Sequence, residues 1–255
     1  MSDFDRNVAA RGSFSDRAAA IDVGLRAHMI RVYNYMASAV ALSGVVAWFT
    51  YQAAGGDAIA VSGSSITGLT AFGQAIFSGP TMIVLMLVTL GLVFFLSFRV
   101  HRLQYTTALA VFMVYSALLG VTLAPILLMY TGASITKVFF ISAASFGALS
   151  IWGYTTQRDL TGMGTFLIMG LIGLIIAMIV NIFLKSTGLD FVISAAGVLI
   201  FAGLTAWDTQ KIKEMYNSSD DANSGGRKAV MGALSLYLDF INLFLMLLRL
   251  VGDRR

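Results

Sequence analysis

Seven separate stretches of this chain run for about twenty residues with scarcely a charge, the length an α-helix needs to cross the hydrocarbon core of a bilayer. They lie near residues 29–51, 80–98, 105–130, 134–156, 163–184, 190–211 and 228–250. In hydrocarbon every backbone N–H and C=O must be satisfied inside the protein, so such stretches are helices or strands of a closed barrel. The apolar-polar alternation of barrel strands is absent: PTMIVLMLVTLGLVFFLSF, 80–98, is apolar on every side. Hydrophobic residues make up 58% of the chain and charged ones 12%, more apolar surface than one water-soluble core of 255 residues hides. The fold class is therefore an all-α integral membrane protein with seven transmembrane helices.

The remaining sequence divides around those spans. Residues 1–28 are polar, of mixed charge and without the apolar segment and small-residue cleavage site of a signal peptide, and read as a cytoplasmic tail with a short amphipathic approach helix. Residues 29–251 form the transmembrane domain and 252–255 a short C-terminal tail. The Gly- and Ser-rich connection 53–79 reads as a loop or a short helix on the membrane surface. With the N-terminus inside, the cytoplasmic face receives 12 Lys and Arg residues and the other face 5, which favours that orientation for a multi-pass membrane protein. Arg249, Arg254 and Arg255 sit on the poorer side, and a re-entrant last segment would return them to the cytoplasm.

Several function classes fall away. Without cysteine there is no disulfide, thiol chemistry or cysteine metal site. His28 and His101 are the only histidines and neither has ligand spacing around it, which argues against metallohydrolases. The GxGD motif of intramembrane aspartyl proteases is missing, and the last span has no central lysine for a retinal Schiff base. The scattered basic residues do not make a nucleic-acid surface. No enzyme, catalytic residue or cofactor is expected.

Two acids stand out. From Phe191 to Trp207 there is no charged residue; then comes Asp208, roughly five residues, or about 8 Å, from the cytoplasmic end of the sixth span. Asp239 lies near the middle of the last span, where an ionised carboxylate costs on the order of 3 kcal/mol. The two spans are antiparallel neighbours across a short polar loop, so the carboxyls can face each other. Two readings stand for Asp208: an interfacial acid that caps a helix end or pairs with Lys211, and half of a dyad with Asp239. Arg99 and Arg102 are snorkelling anchors or basic partners of that dyad. Asn181 and Asn242 read as interhelical hydrogen-bonders, and Gly147, Gly153, Gly170 and Gly173 as points of close helix approach.

AWDTQKI around Asp208, ALSLYLDFINLFLMLLRL around Asp239 and GVTLAPI in the third span together resemble the transmembrane Bax inhibitor motif family, in its bacterial branch. The resemblance covers the hydrophobic region from about residue 29 to residue 251. It implies six helices around a central hydrophobic seventh and a pH-sensitive calcium leak across the membrane. It further implies that Asp208 and Asp239 are the paired, pH-sensing acids and would face calcium, with Arg102 or Arg99 as the latch of the closed form. The second span here lacks the further acid that bacterial relatives can carry. Physically, two carboxylates in a low-dielectric interior cannot both ionise cheaply and share a proton. The competing reading is a regulatory membrane protein that transports nothing and docks a partner, such as a membrane protease, through its N-terminal tail.

Overall fold

A computed structural model describes the backbone of residues 3–62 and 65–254, and the side chains of residues 23–59, 67–100 and 102–254. Nine helices occur among them, seven long and apolar enough to span a membrane. The first is α1, Asp3–Ala54, continuous across residue 28, with its apolar span from Val23 to Ala54. Gly55 and Gly56 then turn the chain with φ of 135° and 53°, conformations open to glycine. The 53–79 connection is a 3₁₀ turn, a two-stranded antiparallel pair (β1, Ala60–Ser62; β2, Ser65–Thr67) and a short helix α2, Ala71–Ile76. Thr70 caps α2 by accepting from the Gly73 amide at 3.1 Å.

The other spans follow in order: α3 (Gly79–Arg99), α4 (Tyr105–Leu123) with α5 (Ile126–Met129), α6 (Gly132–Thr155), α7 (Thr161–Leu184), α8 (Thr187–Glu214) and α9 (Ala222–Val251). Pro125 separates α4 from α5, because its ring blocks the helical hydrogen bond at that point. Thr131, Ser186 and Asp221 cap α6, α8 and α9 through their side chains.

The last helix is the axis of the bundle. In its most apolar window 61% of residues are buried, against 6% in α7 and 11% in α3. Leu236, Tyr237, Asp239, Phe240, Ile241 and Leu243 are all buried, and near-consecutive positions on a helix point all round it. Helices α1, α4, α6 and α8 pack directly on α9, while α3 and α7 pack chiefly on α4 and α8.

Continuous helix α9 answers the question of a re-entrant last segment. It begins where Asn223 accepts from the Tyr105 amide at 2.6 Å, at the start of the third span. It ends where Asp253 accepts from the Thr131 amide at 3.1 Å and donates its own amide to Ser134 Oγ at 2.9 Å. The helix therefore crosses the same thickness as the third span. Arg254 stays at that far end, 4.0 Å from Asp190 and stacked over Tyr130.

Two glycines set the closest backbone approaches between spans. Gly120 faces the Ser43 backbone of α1, and Gly153 faces the Ala206 backbone of α8. Of the four glycines expected to do this, only Gly153 does. A Cβ at Gly147 or Gly173 would meet nothing within 4 Å, and at Gly170 only the flexible end of Ile200. Asn181 and Asn242 also differ from expectation. Asn181 accepts from the Ser186 amide at the cap of the next helix, and Asn242 donates to Leu238 O one turn back, so both bonds are local along the chain and neither crosses the bundle.

Candidate functional site

Asp208 and Asp239 meet at the interface of the antiparallel pair α8 and α9, their carboxyls within hydrogen-bonding reach of each other. Asp239 is 5% exposed and its Oδ2 is buried without any hydrogen-bond donor from the described residues. Ionised carboxylates only accept, so two of them cannot satisfy each other; one shared proton turns the pair into donor and acceptor. Asp208 is half-buried and sits six residues inside the end of α8 at Glu214.

The neighbours of Asp208 hold this part of α8 in place. Thr209 donates to Thr205 O at 2.8 Å and lies 3.4 Å from Ser150 Oγ of α6. Gln210 is buried and uses both ends of its amide. Its Oε1 accepts from the Leu160 amide and its Nε2 donates to Arg158 O, each at 2.8 Å, clamping the α6–α7 turn onto α8. On the far side of α9 from this dyad, Tyr237 OH bonds Ser43 Oγ at 2.6 Å, and Ser43 donates to Ser116 O at 2.7 Å. That buried node ties α1, α4 and α9 together. Gln210 and Ser43 were missed from sequence; a glutamine inside the dyad's own motif, WDTQK, was the available signal for the first.

The two arginines lie elsewhere. Arg99 and Arg102 are exposed, at the α3–α4 turn whose Leu103 carbonyl accepts from Arg227 of α9 at 3.4 Å. Asp239 is twelve residues further along α9 than Arg227, about 18 Å at helical rise. The cation whose charge reaches both carboxyls is Lys211, an exposed residue with its Nζ 5.0 Å from the centre of the Trp207 ring. Among the described residues no group of three His, Cys, Asp or Glu could hold a metal ion. The dyad offers two carboxylates, far from the six to eight oxygens that a bound calcium ion takes.

The family model described as "Inhibitor of apoptosis-promoting Bax1" matches residues 25–255. The chain is 47% identical over 237 residues to an uncharacterized protein, RP147, of Rickettsia prowazekii, covering 92% of both chains. It is 41% identical over 244 residues to the inner membrane protein YbhL of Escherichia coli, covering 94% of this chain and 97% of that one. A Caulobacter vibrioides relative is 42% identical across the whole of both chains. With seven spans, a buried last helix that carries Asp239 and a match over nearly its whole length, this chain is a membrane protein and belongs to the Bax inhibitor family described as Inhibitor of apoptosis-promoting Bax1.

Proposed function

We propose that the protein is a pH-sensitive calcium leak pathway of the bacterial inner membrane, N-terminus inside, held closed by a proton shared between Asp208 and Asp239. One observation carries this reading: the buried Oδ2 of Asp239 has no donor among the described residues, and the group beside it is another carboxyl. With the proton in place, α8 and α9 are tied and α9 plugs the bundle. As pH rises the proton leaves, two negative charges face each other, and the pair must separate or take up a cation. Calcium fits because it accepts irregular oxygen ligands, here two carboxylates completed by main-chain oxygens and water. The sign follows: closure is complete at low pH and lost as pH rises, so flux increases with pH. In this conformation Lys211 is the nearby cation; a latch by Arg102 or Arg99 requires the α3–α4 turn to move inward.

The test is calcium flux into dye-filled vesicles holding the purified chain, between roughly pH 6 and pH 8. Asp239→Asn should conduct without pH dependence. A pH profile identical to the parent's sinks the gating role.

A second reading has its own observation. Helix α1 is 52 residues long, about 78 Å, more than twice the hydrocarbon thickness, so its N-terminal part projects beyond the spans. That projection suits docking of a membrane protein such as a protease. Deleting residues 1–22 should then abolish regulation and spare flux; flux lost with the deletion argues against this division.

A further inference from the structure

A groove of about 990 Å³ lies open between α1 and α6. Its walls carry small residues, among them Ala41 and Gly44 of α1 and Ala143 and Gly147 of α6, and its floor is Phe240 of α9. Small-residue faces ordinarily let two helices close on each other. Here they stay apart: α1 packs on α4 and α9, α6 packs on α8 and α9, and a Cβ at Gly44 or at Gly147 would meet nothing within 4 Å.

The groove is polarised along its length. Arg26 stands at one end, exposed and in no ion pair with a described residue. Lys213 of α8 stands behind Tyr154 at this end without lining the groove, donating to Tyr154 O at 3.0 Å with its ammonium 5.2 Å from the centre of that ring. The other end, at Val45 and Phe139, has no charge, and both of these side chains are exposed. Along α6 the lining runs from Tyr154 back to Phe139, about 22 Å at helical rise.

A cleft of this kind in a membrane span is not filled by water, which finds almost no partners along apolar walls. The medium beside it is lipid. We propose that this groove binds one anionic phospholipid of the surrounding bilayer, its headgroup held by Arg26 and one acyl chain laid between α1 and α6 against Phe240. An exposed Arg26 at the headgroup end, the Lys213 charge behind Tyr154 and an uncharged slot beyond them complement an anionic amphiphile. A second copy seated through its own α1 would bring another Arg26 towards the first and fits less well. The site is distinct from the dyad, and its existence does not depend on calcium passage. It does place a lipid chain against the residue next to Asp239, as a wedge between α1 and α6.

The test is native mass spectrometry of the full chain in detergent with added dioleoyl phosphatidylglycerol or dioleoyl phosphatidylcholine. The parent should retain one phosphatidylglycerol per chain and bind it about tenfold better than phosphatidylcholine, the size of one charge-assisted contact. Arg26→Gln should erase that preference and leave binding of both lipids at the weaker level. Gly147→Phe and Gly44→Leu grow from positions that line the open groove and where a Cβ meets nothing within 4 Å, so each should stay folded, by unfolding midpoint, and lose the retained lipid. The proposal is overturned if either filled variant, folded, keeps the parent's lipid. A parent that shows no headgroup preference overturns it too, as does a dimer that the filled variants break apart.

Discussion

Gly120→Ala tests the packing of α1 on α4 directly. A Cβ built on Gly120 would stand 2.6 Å from the Ser43 carbonyl oxygen and 3.0 Å from both Ser43 Cα and Val46 Cβ. Carbon and carbonyl oxygen rest at about 3.3 Å, so α1 and α4 must part by about 0.7 Å. The nearest atoms on both sides are fixed to the backbone, and no rotamer relieves them. Ser43 is also the node that reaches Ser116 O at 2.7 Å, and the same displacement stretches that bond to about 3.4 Å, beyond good geometry. Overpacking costs about 1–3 kcal/mol and a weakened buried bond about 1, so the variant should lose about 2–4 kcal/mol. Unfolding in mixed micelles with rising dodecyl sulfate measures it. Gly91→Ala is the control, since a Cβ there meets nothing within 4 Å. Equal stability of the two variants would refute the close approach of α1 and α4.

Other changes probe other joints. Gln210→Ala leaves the Leu160 amide without its acceptor and should cost about 1–3 kcal/mol, with faster hydrogen exchange confined to the α6–α7 turn. Removing both hydroxyls of the Ser43–Tyr237 bond, as Ser43→Ala with Tyr237→Phe, should show a coupling of about 0.6–1.7 kcal/mol in a double-mutant cycle, and additive losses would deny the bond. At the start of α9, hydrogen bonds from Ser224 and the Asn223 and Ser224 amides hold the exposed Asp221 carboxyl below the usual carboxylate range. Its stabilisation is therefore complete above about pH 4 and lost as pH falls further through the depressed folded value. Asp221→Ala should fray the first turn of α9 at neutral pH, seen as faster amide exchange at Asn223 and Ser224; no difference from the parent at pH 7 would remove the cap.

The spans were legible because hydrocarbon imposes one length and one polarity on every helix, and their observed limits differ from the expected ones by a few residues, mostly outward. The pairing of Asp208 with Asp239 was legible too: two acids on adjacent antiparallel spans leave few places for an uncompensated charge. What could not be read was which face meets which neighbour. Gly147 and Gly153 are both glycines on one helix, yet only Gly153 touches α8, because the two point to different sides. Arg102 lies at the expected end of the bundle, on an exposed turn whose Leu103 carbonyl meets Arg227, about 18 Å along α9 from Asp239. Asn181 and Asn242 found partners on nearby backbone, which competes locally with any interhelical bond.

The account rests on one proton between the half-buried Asp208 and the buried Asp239. Infrared difference spectroscopy of the chain in vesicles across roughly pH 5 to pH 9 reads the stretch of a protonated carboxyl directly. The account predicts a band in the parent that fades as pH rises, in step with the onset of calcium flux, and that is missing from Asp239→Asn. A parent with no such band at any pH where it stays folded, or a band unchanged in Asp239→Asn, would contradict it.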